Sequence, residues 1–277
     1  MKTLLVLLAA LSCRGAVALV AHNNCQQLFT TPCATSGIDT TGATLLIAEE
    51  VTAGTLSIGT APIDSKNNTW IPLIRYSNPS NPFIGVQFWY ACNPTVGTGH
   101  TFTMPVGPYT PVPGMFDSAE TLFIGAFSGV GATRCLAPHT DHGTYNAVGH
   151  ALTQPGGSSP TVAGDLVIFG IGTEGNASIS VSVGTLFESN LVSATGMTGG
   201  MAWLSATGTA AVNPSWTAVA VPDYAMNIVV FERDGTKPKP AEQRIIARRE
   251  EEWIVLDRTP GPHVYSANLS GFNQYGK

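Results

Sequence analysis

Positive charge is nearly missing from most of this chain. Residues 19–231 hold three basic side chains, Lys66, Arg75 and Arg134, against eleven acidic ones. A body with no Lys/Arg cluster argues against nucleic acid as a partner. Gly-x-Ser-x-Gly, Walker and Gly-x-Gly-x-x-Gly signatures are all absent, so nucleophilic hydrolase and nucleotide-binding readings have no support, and no cofactor is expected. No Cys-x-x-Cys pair exists, which argues against a zinc or redox centre. The apolar run at 3–12 is too short to span a bilayer as a mature helix. Long stretches with helical apolar spacing are also wanting, except near the C-terminus.

What is abundant points to strands and turns. The 277 residues include 30 Gly and 19 Pro, with 44% hydrophobic side chains, enough for a large core cut into short strands by tight turns. Residues 43–49 (ATLLIAE), 84–91 (IGVQFWYA), 121–127 (TLFIGAF), 165–170 (DLVIFG), 200–205 (GMAWLS) and 225–231 (AMNIVVF) read as strands. Asp64–Asn68 reads as a hairpin turn in which Asn67 tolerates positive φ. Trp70, Trp89, Trp203 and Trp216 alternate with strand residues and are expected in the core.

The two halves share a plan. A Gly-led apolar strand at 42–48 matches 164–170, and an aromatic alternating strand (Val86, Phe88, Tyr90) matches one carrying Met201 and Trp203. Asn93-Pro94-Thr95 matches Asn213-Pro214-Ser215, and each half closes on an apolar strand ending in Phe127 or Phe231. Pro cannot donate to a ladder, so both Asn-Pro pairs are expected to end strands. The expected fold is all-β, two antiparallel sheets packed as a β-sandwich of jelly-roll or concanavalin-like type, with a short C-terminal extension.

Five motifs occur together: IDTTGATLLIA (38–48), DSKNNTW (64–70), CNPTVGTGHTFT (92–103), AFSGV (126–130) and AAVNPSWT (210–217). As a set they resemble a widespread β-sandwich domain of secreted bacterial proteins and phage tail or fibre proteins, over residues 36–231. In that family the turn usually reads Asp-Ser-x-Gly-Asn; here Asn67 stands in the Gly place. The resemblance implies a sandwich fold and an extracellular or virion-surface location, and no chemistry.

The boundaries expected are a signal peptide or apolar segment at 1–18, with Ala16-Val17-Ala18 as small-x-small cleavage pattern, an N-terminal segment at 19–35, the sandwich at 36–232, a Pro-Lys linker at 233–240 and a tail at 241–277. No stable membrane insertion is expected once the leader is removed. Cys25 and Cys33 are the better disulfide pair; Cys92 and Cys135 read equally as free thiols. The tail packs eight basic and seven acidic residues into 232–277. Its apolar positions, Ile245, Trp253 and Val255 among them, suit self-association or docking on another surface or virion subunit.

Site candidates are sparse. Tyr109 and Tyr145 are the aromatics best placed to meet glycans. Asp117 and Glu120 are carboxylates that a glycan binder or glycan-cleaving enzyme would use. His139, Asp141 and His142 form the most metal-like cluster, without a third ligand at diagnostic spacing. The function expected is a non-enzymatic structural or adhesive protein, with a secreted carbohydrate-binding module and a glycan-cleaving enzyme as rivals. Asn67, Asn176 and Asn268 open glycosylation sequons that matter only in a eukaryotic secretory setting.

Overall fold

The computed structural model describes residues 16–28, 32–53, 60–77, 84–105, 119–131, 140–146, 152–153, 160, 162–174, 178–192, 197–218, 223–234, 244–249 and 252–257. The chain divides into two compact units, residues 1–234 and 235–277. Every regular element among the described residues is a β-strand, and every pairing is antiparallel.

The first half of the large unit contains β1 (Ala18–Leu28), β2 (Cys33–Ala34), β3 (Leu45–Ala53), β4 (Ile63–Asp64), β5 (Ile71–Pro72), β6 (Tyr76–Ser77), β7 (Ile84–Cys92), β8 (Phe102–Met104) and β9 (Ala119–Ser128). The second half contains β10 (Thr140–Asn146), β11 (Leu152–Thr153), β12 (Leu166–Glu174), β13 (Ser180–Val181), β14 (Thr185–Val192), β15 (Met197–Ser205), β16 (Ser215–Thr217) and β17 (Tyr224–Phe231). Two large sheets run β1-β9-β3-β7-β5 and β10-β17-β12-β15-β14, with β6 also paired to β7. Two small sheets run β2-β8-β4 and β11-β16-β13. Setting β6 aside, the strand orders of the two halves are the same, so the plan read from the sequence is a duplication of topology.

Register fixes which residues correspond. Leu45 pairs with Cys92 and Phe127, and Leu166 pairs with Ser205 and Phe231. Leu45 therefore matches Leu166, and Glu49 matches Gly170. The sequence comparison, which set Gly42 against Gly164, is one residue out. In a strand that slip exchanges the two faces. The Asn-Pro expectation divides: Asn93 follows directly on β7 with φ +48°, whereas Asn213-Pro214 lies well past β15 and opens β16.

The strands β3, β7, β9, β12 and β17 are apolar on both faces because both faces are covered. One cluster draws Leu45, Ile47, Phe88, Phe123 and Phe127 from the first large sheet together with Leu166, Ile168, Met201, Val229 and Phe231 from the second. On the opposite face of the first sheet, Leu46, Ala48, Trp89 and Leu122 pack with Cys33, Phe102 and Met104. On the opposite face of the second, Val167, Phe169, Met226 and Val230 pack with Trp216. At one edge His22 Nδ1 lies 2.6 Å from Glu188 Oε1, and Asn190 donates to Asn24 Oδ1 at 2.8 Å, clasping β1 to β14. Trp70, Trp89 and Trp216 are buried, and Trp203 is half-buried against Phe127.

Two expectations need correction. Residues 19–35 are not a segment apart: β1 pairs with β9 from Ala18 to Leu28 and Val17 is buried in the core, so the body starts before residue 36. The turn after Asp64 forms, with φ +57° at Asn67, but it makes no hairpin. β4 pairs with β8 while β5 pairs with β7. The small unit contains a hairpin of β18 (Arg244–Arg249) and β19 (Glu252–Asp257), with Ile245 across from Leu256 and Ile246 across from Val255.

Candidate functional site

Three of the quoted motifs converge on one buried network. His100, from GTGHTFT, has no exposed surface. Its Nε2 lies 2.9 Å from Asp64 Oδ1 and its Nδ1 lies 2.9 Å from Thr40 Oγ1. Asp64, the first residue of DSKNNTW, also accepts from Lys66 N (2.8 Å), from Asn68 and from Trp70 Nε1 (2.9 Å). Burial pushes the Asp64 carboxyl up, but the bonds from His100, the Lys66 and Asn68 amides and Trp70 outweigh it and hold the group below the ordinary aspartate range. Thr40 Oγ1 also receives the Gly97 amide at 3.1 Å. The connectivity Thr–His–Asp has the look of a nucleophilic relay, yet Thr40 and His100 are fully buried, and the Thr40 hydroxyl is committed to the Gly97 backbone. The network is a staple between the turn after β4 and the loop joining β7 to β8. Asn68 and Thr95 complete it with a reciprocal pair of bonds at 2.7 and 3.1 Å.

A second polar group lies on the face of the first large sheet that carries Trp89. Glu50 is opposite Gln87, and Thr52 is opposite both Glu120 and Gly85. Glu50, Gln87 and Glu120 are each buried. The Arg75 guanidinium lies directly over Gly85, where a Cβ would meet it at 2.6 Å, and donates to Thr52 Oγ1 at 2.8 Å. Trp89 Nε1 donates to Glu50 Oε2 at 3.3 Å, and Gln87 Nε2 to the Leu73 carbonyl at 3.0 Å. Burial raises the Glu50 carboxyl, against the Arg75 charge and the Trp89 bond. The matching positions in the second half are Ile171 for Glu50, Gly200 for Gln87, Thr173 for Thr52 and Tyr224 for Glu120. The scaffold thus closes with largely apolar residues there, and the topology does not require the first half's carboxylates. Two carboxyl groups diagonally placed on one sheet face, one of them raised, are the arrangement acid–base chemistry uses.

A third group sits where β3 meets β12. Glu49 is fully buried, flanked in register by Phe88 and Phe123, and neither carboxyl oxygen has a partner. Burial alone drives its carboxyl well above the ordinary glutamate value. It occupies the space left by Gly170, the matching residue of the other half: a Cβ at 170 falls within contact distance of all three carboxyl atoms. Asn227, across from Gly170 in register, is also buried with both amide atoms unpartnered.

Of the residues singled out in the sequence, Glu120 falls in the second group. Asp117, Tyr109 and His139 lie outside the described residues. Asp141, His142 and Tyr145 lie on β10, across from Val229, Ile228 and Ala225. No group of three His, Cys, Asp or Glu able to hold a metal occurs among the described residues. Sequence reading missed Glu50, Arg75 and Gln87. The one available signal was the Glu49-Glu50 pair interrupting an apolar strand. Cys25 and Cys33 are joined in a disulfide, and Cys92 is disulfide-bonded rather than free. No family model, curated protein or solved structure matches the chain.

Proposed function

We propose that this chain is a non-enzymatic structural and adhesive protein displayed on a virion, of phage tail or fibre type, or on a cell surface. We read each half as a jelly-roll β-sandwich in which strands alternate between a large and a small sheet except at β5–β7 and β14–β15, which stay in the large sheet, with the first and last large-sheet strands adjacent. The two large sheets then face each other across the shared core. The observation that carries the functional reading is the fate of the motif residues. Thr40, Asp64, Trp70 and His100 are spent on a buried staple, as a framework module requires, and offer nothing to a substrate. The C-terminal hairpin supports the attachment role. A lone two-stranded hairpin is marginal in water, and this one is rich in large apolar residues, so self-association or docking on another subunit would stabilise it. The test is location: peptide mass spectrometry and immunogold labelling of purified particles and surface fractions. Recovery of the chain only from the cell interior would overturn the proposal.

A second reading, a glycan-cleaving enzyme, is favoured by Glu50 and Glu120 sharing one sheet face. Polysaccharide hydrolysis lost in both Glu50→Gln and Glu120→Gln would establish it in place of the first.

A further inference from the structure

The duplicated topology makes each half a control for the other. In the first half, the turn after β4 and the loop from β7 to β8 are stapled together by His100–Asp64 and Asn68–Thr95. In the second half, the matching segments are the turn after β13 and the stretch from β15 to β16. They keep the Ser182–Ser215 bonds that match Ser65–Thr101, but Val181 and Pro214 stand where Asp64 and His100 do, and a pocket of about 600 Å³ opens between them. That volume lies in the range of small-molecule sites.

The walls are fixed without a ligand. Ser182 is tied to Ser215 by two hydrogen bonds of 2.8 and 2.9 Å, which pulls the turn toward β16. Gly184 has φ +78°, and a Cβ there would meet the Trp203 carbonyl oxygen at 2.6 Å, so the turn packs hard on β15. Ala206 is pinned by Gly164 N donating to its carbonyl and by its own amide donating to Asp165 O. A pocket already held open avoids the ordering cost of binding.

The lining sets the chemistry. Among the described residues it contains no ionisable side chain and no aromatic ring. A charged ligand would be desolvated there with no counter-charge, and a neutral sugar would be held by its hydroxyl and acetamido substituents in place of ring stacking. Leu204 and Val212 extend the core cluster into the pocket, and Val183 adds an exposed aliphatic side chain. Ser205, Thr207 and Asn213 supply exposed hydroxyl and amide groups. A neutral ligand with a methyl group for the aliphatic wall, and hydroxyl and amide groups for the polar side chains, matches this set. We infer that the pocket binds an N-acetylated neutral sugar, its acetamido methyl seated against Val183, Leu204 and Val212. The inference deepens the adhesive part of the proposed function and is independent of where the protein is displayed.

The test is saturation-transfer NMR on the full chain with N-acetylglucosamine and N-acetylgalactosamine, glucose as the control, and an N-acetylated dipeptide as a non-sugar carrier of the same group. The expected result is transfer strongest at the acetamido methyl of at least one sugar, weak for glucose and for the peptide. Gly208→Trp should abolish it with an unchanged thermal midpoint, because an added Cβ at 208 meets nothing within 4 Å. Val183→Asp, at an exposed position, should abolish it as well, which covers failure of the first variant to fold. Absence of transfer to either N-acetyl sugar, equal transfer to glucose, preference for the peptide, or binding that survives both variants would each overturn the inference. None of those outcomes touches the display reading, which is tested by location.

Discussion

Replacing Glu49 with Met should make this protein more stable at neutral pH, although the residue lies at the centre of the core. The carboxyl is fully buried and unpartnered, between Phe88 and Phe123 in register and against Gly170. Burial raises its pKa well above the ordinary value of 4.5, so the folded state holds a proton that the unfolded chain releases first. The sign follows: stability is full below 4.5 and falls as pH rises toward the folded pKa. The slope is about 1.4 kcal/mol per pH unit for one proton. Even protonated, an unpartnered buried polar group costs about 1–3 kcal/mol. Glu49→Met keeps the unbranched shape, removes that cost and removes one proton's worth of slope; the residual slope belongs to Glu50, which is raised in the same direction. Urea unfolding of both proteins at pH 5, 6, 7 and 8 measures it. Parallel stability curves for wild type and variant over that range, or a wild type whose stability rises with pH, would refute the argument by showing that Glu49 is hydrated or paired.

Gly170→Ala should destabilise by about 1–3 kcal/mol through overpacking on the Glu49 carboxyl, and most of that loss should vanish in the Glu49→Ala background; additive effects in a double-mutant cycle would contradict the contact. Asp64→Ala should cost about 3–5 kcal/mol because it strips the buried His100 and Trp70 of their shared acceptor. The Asp64 pKa is depressed, so its stabilisation is present above 3.8 and is lost as pH falls through the folded value; an acid titration of the variant should lack that loss. Removing the Cys25–Cys33 disulfide, whose bridgeheads are 8 residues apart, should cost about 2–3 kcal/mol on the loop-closure estimate, read as a lower denaturation midpoint. Light scattering should find the full chain associated and residues 16–234 monomeric; a monomeric full chain would remove self-association and leave docking on a partner.

Local features were legible in the amino-acid order. Alternation of small turn residues with apolar runs specified strands, Asn67 specified a left-handed turn position, and the repeated order of apolar strands announced two halves on one plan. The first two depend on backbone preferences within a few residues, and the third only on the order in which such segments follow one another. What tertiary structure alone decided is non-local. Whether Leu45 corresponds to Leu166 or to Val167 is a matter of register, and one residue reverses the faces. That β4 and β5 leave the same turn for different sheets depends on partners more than ten residues away. Glu49 and Glu50 are neighbours of one type, yet the pleat sends the first against Gly170 and the second to the face shared with Gln87 and Arg75. His100, Asp64 and Thr40 are far apart in the chain, and only the closing of β8 against β4 brings them within hydrogen-bond reach. Pairing of distant strands fixes those neighbours, and no local pattern encodes it.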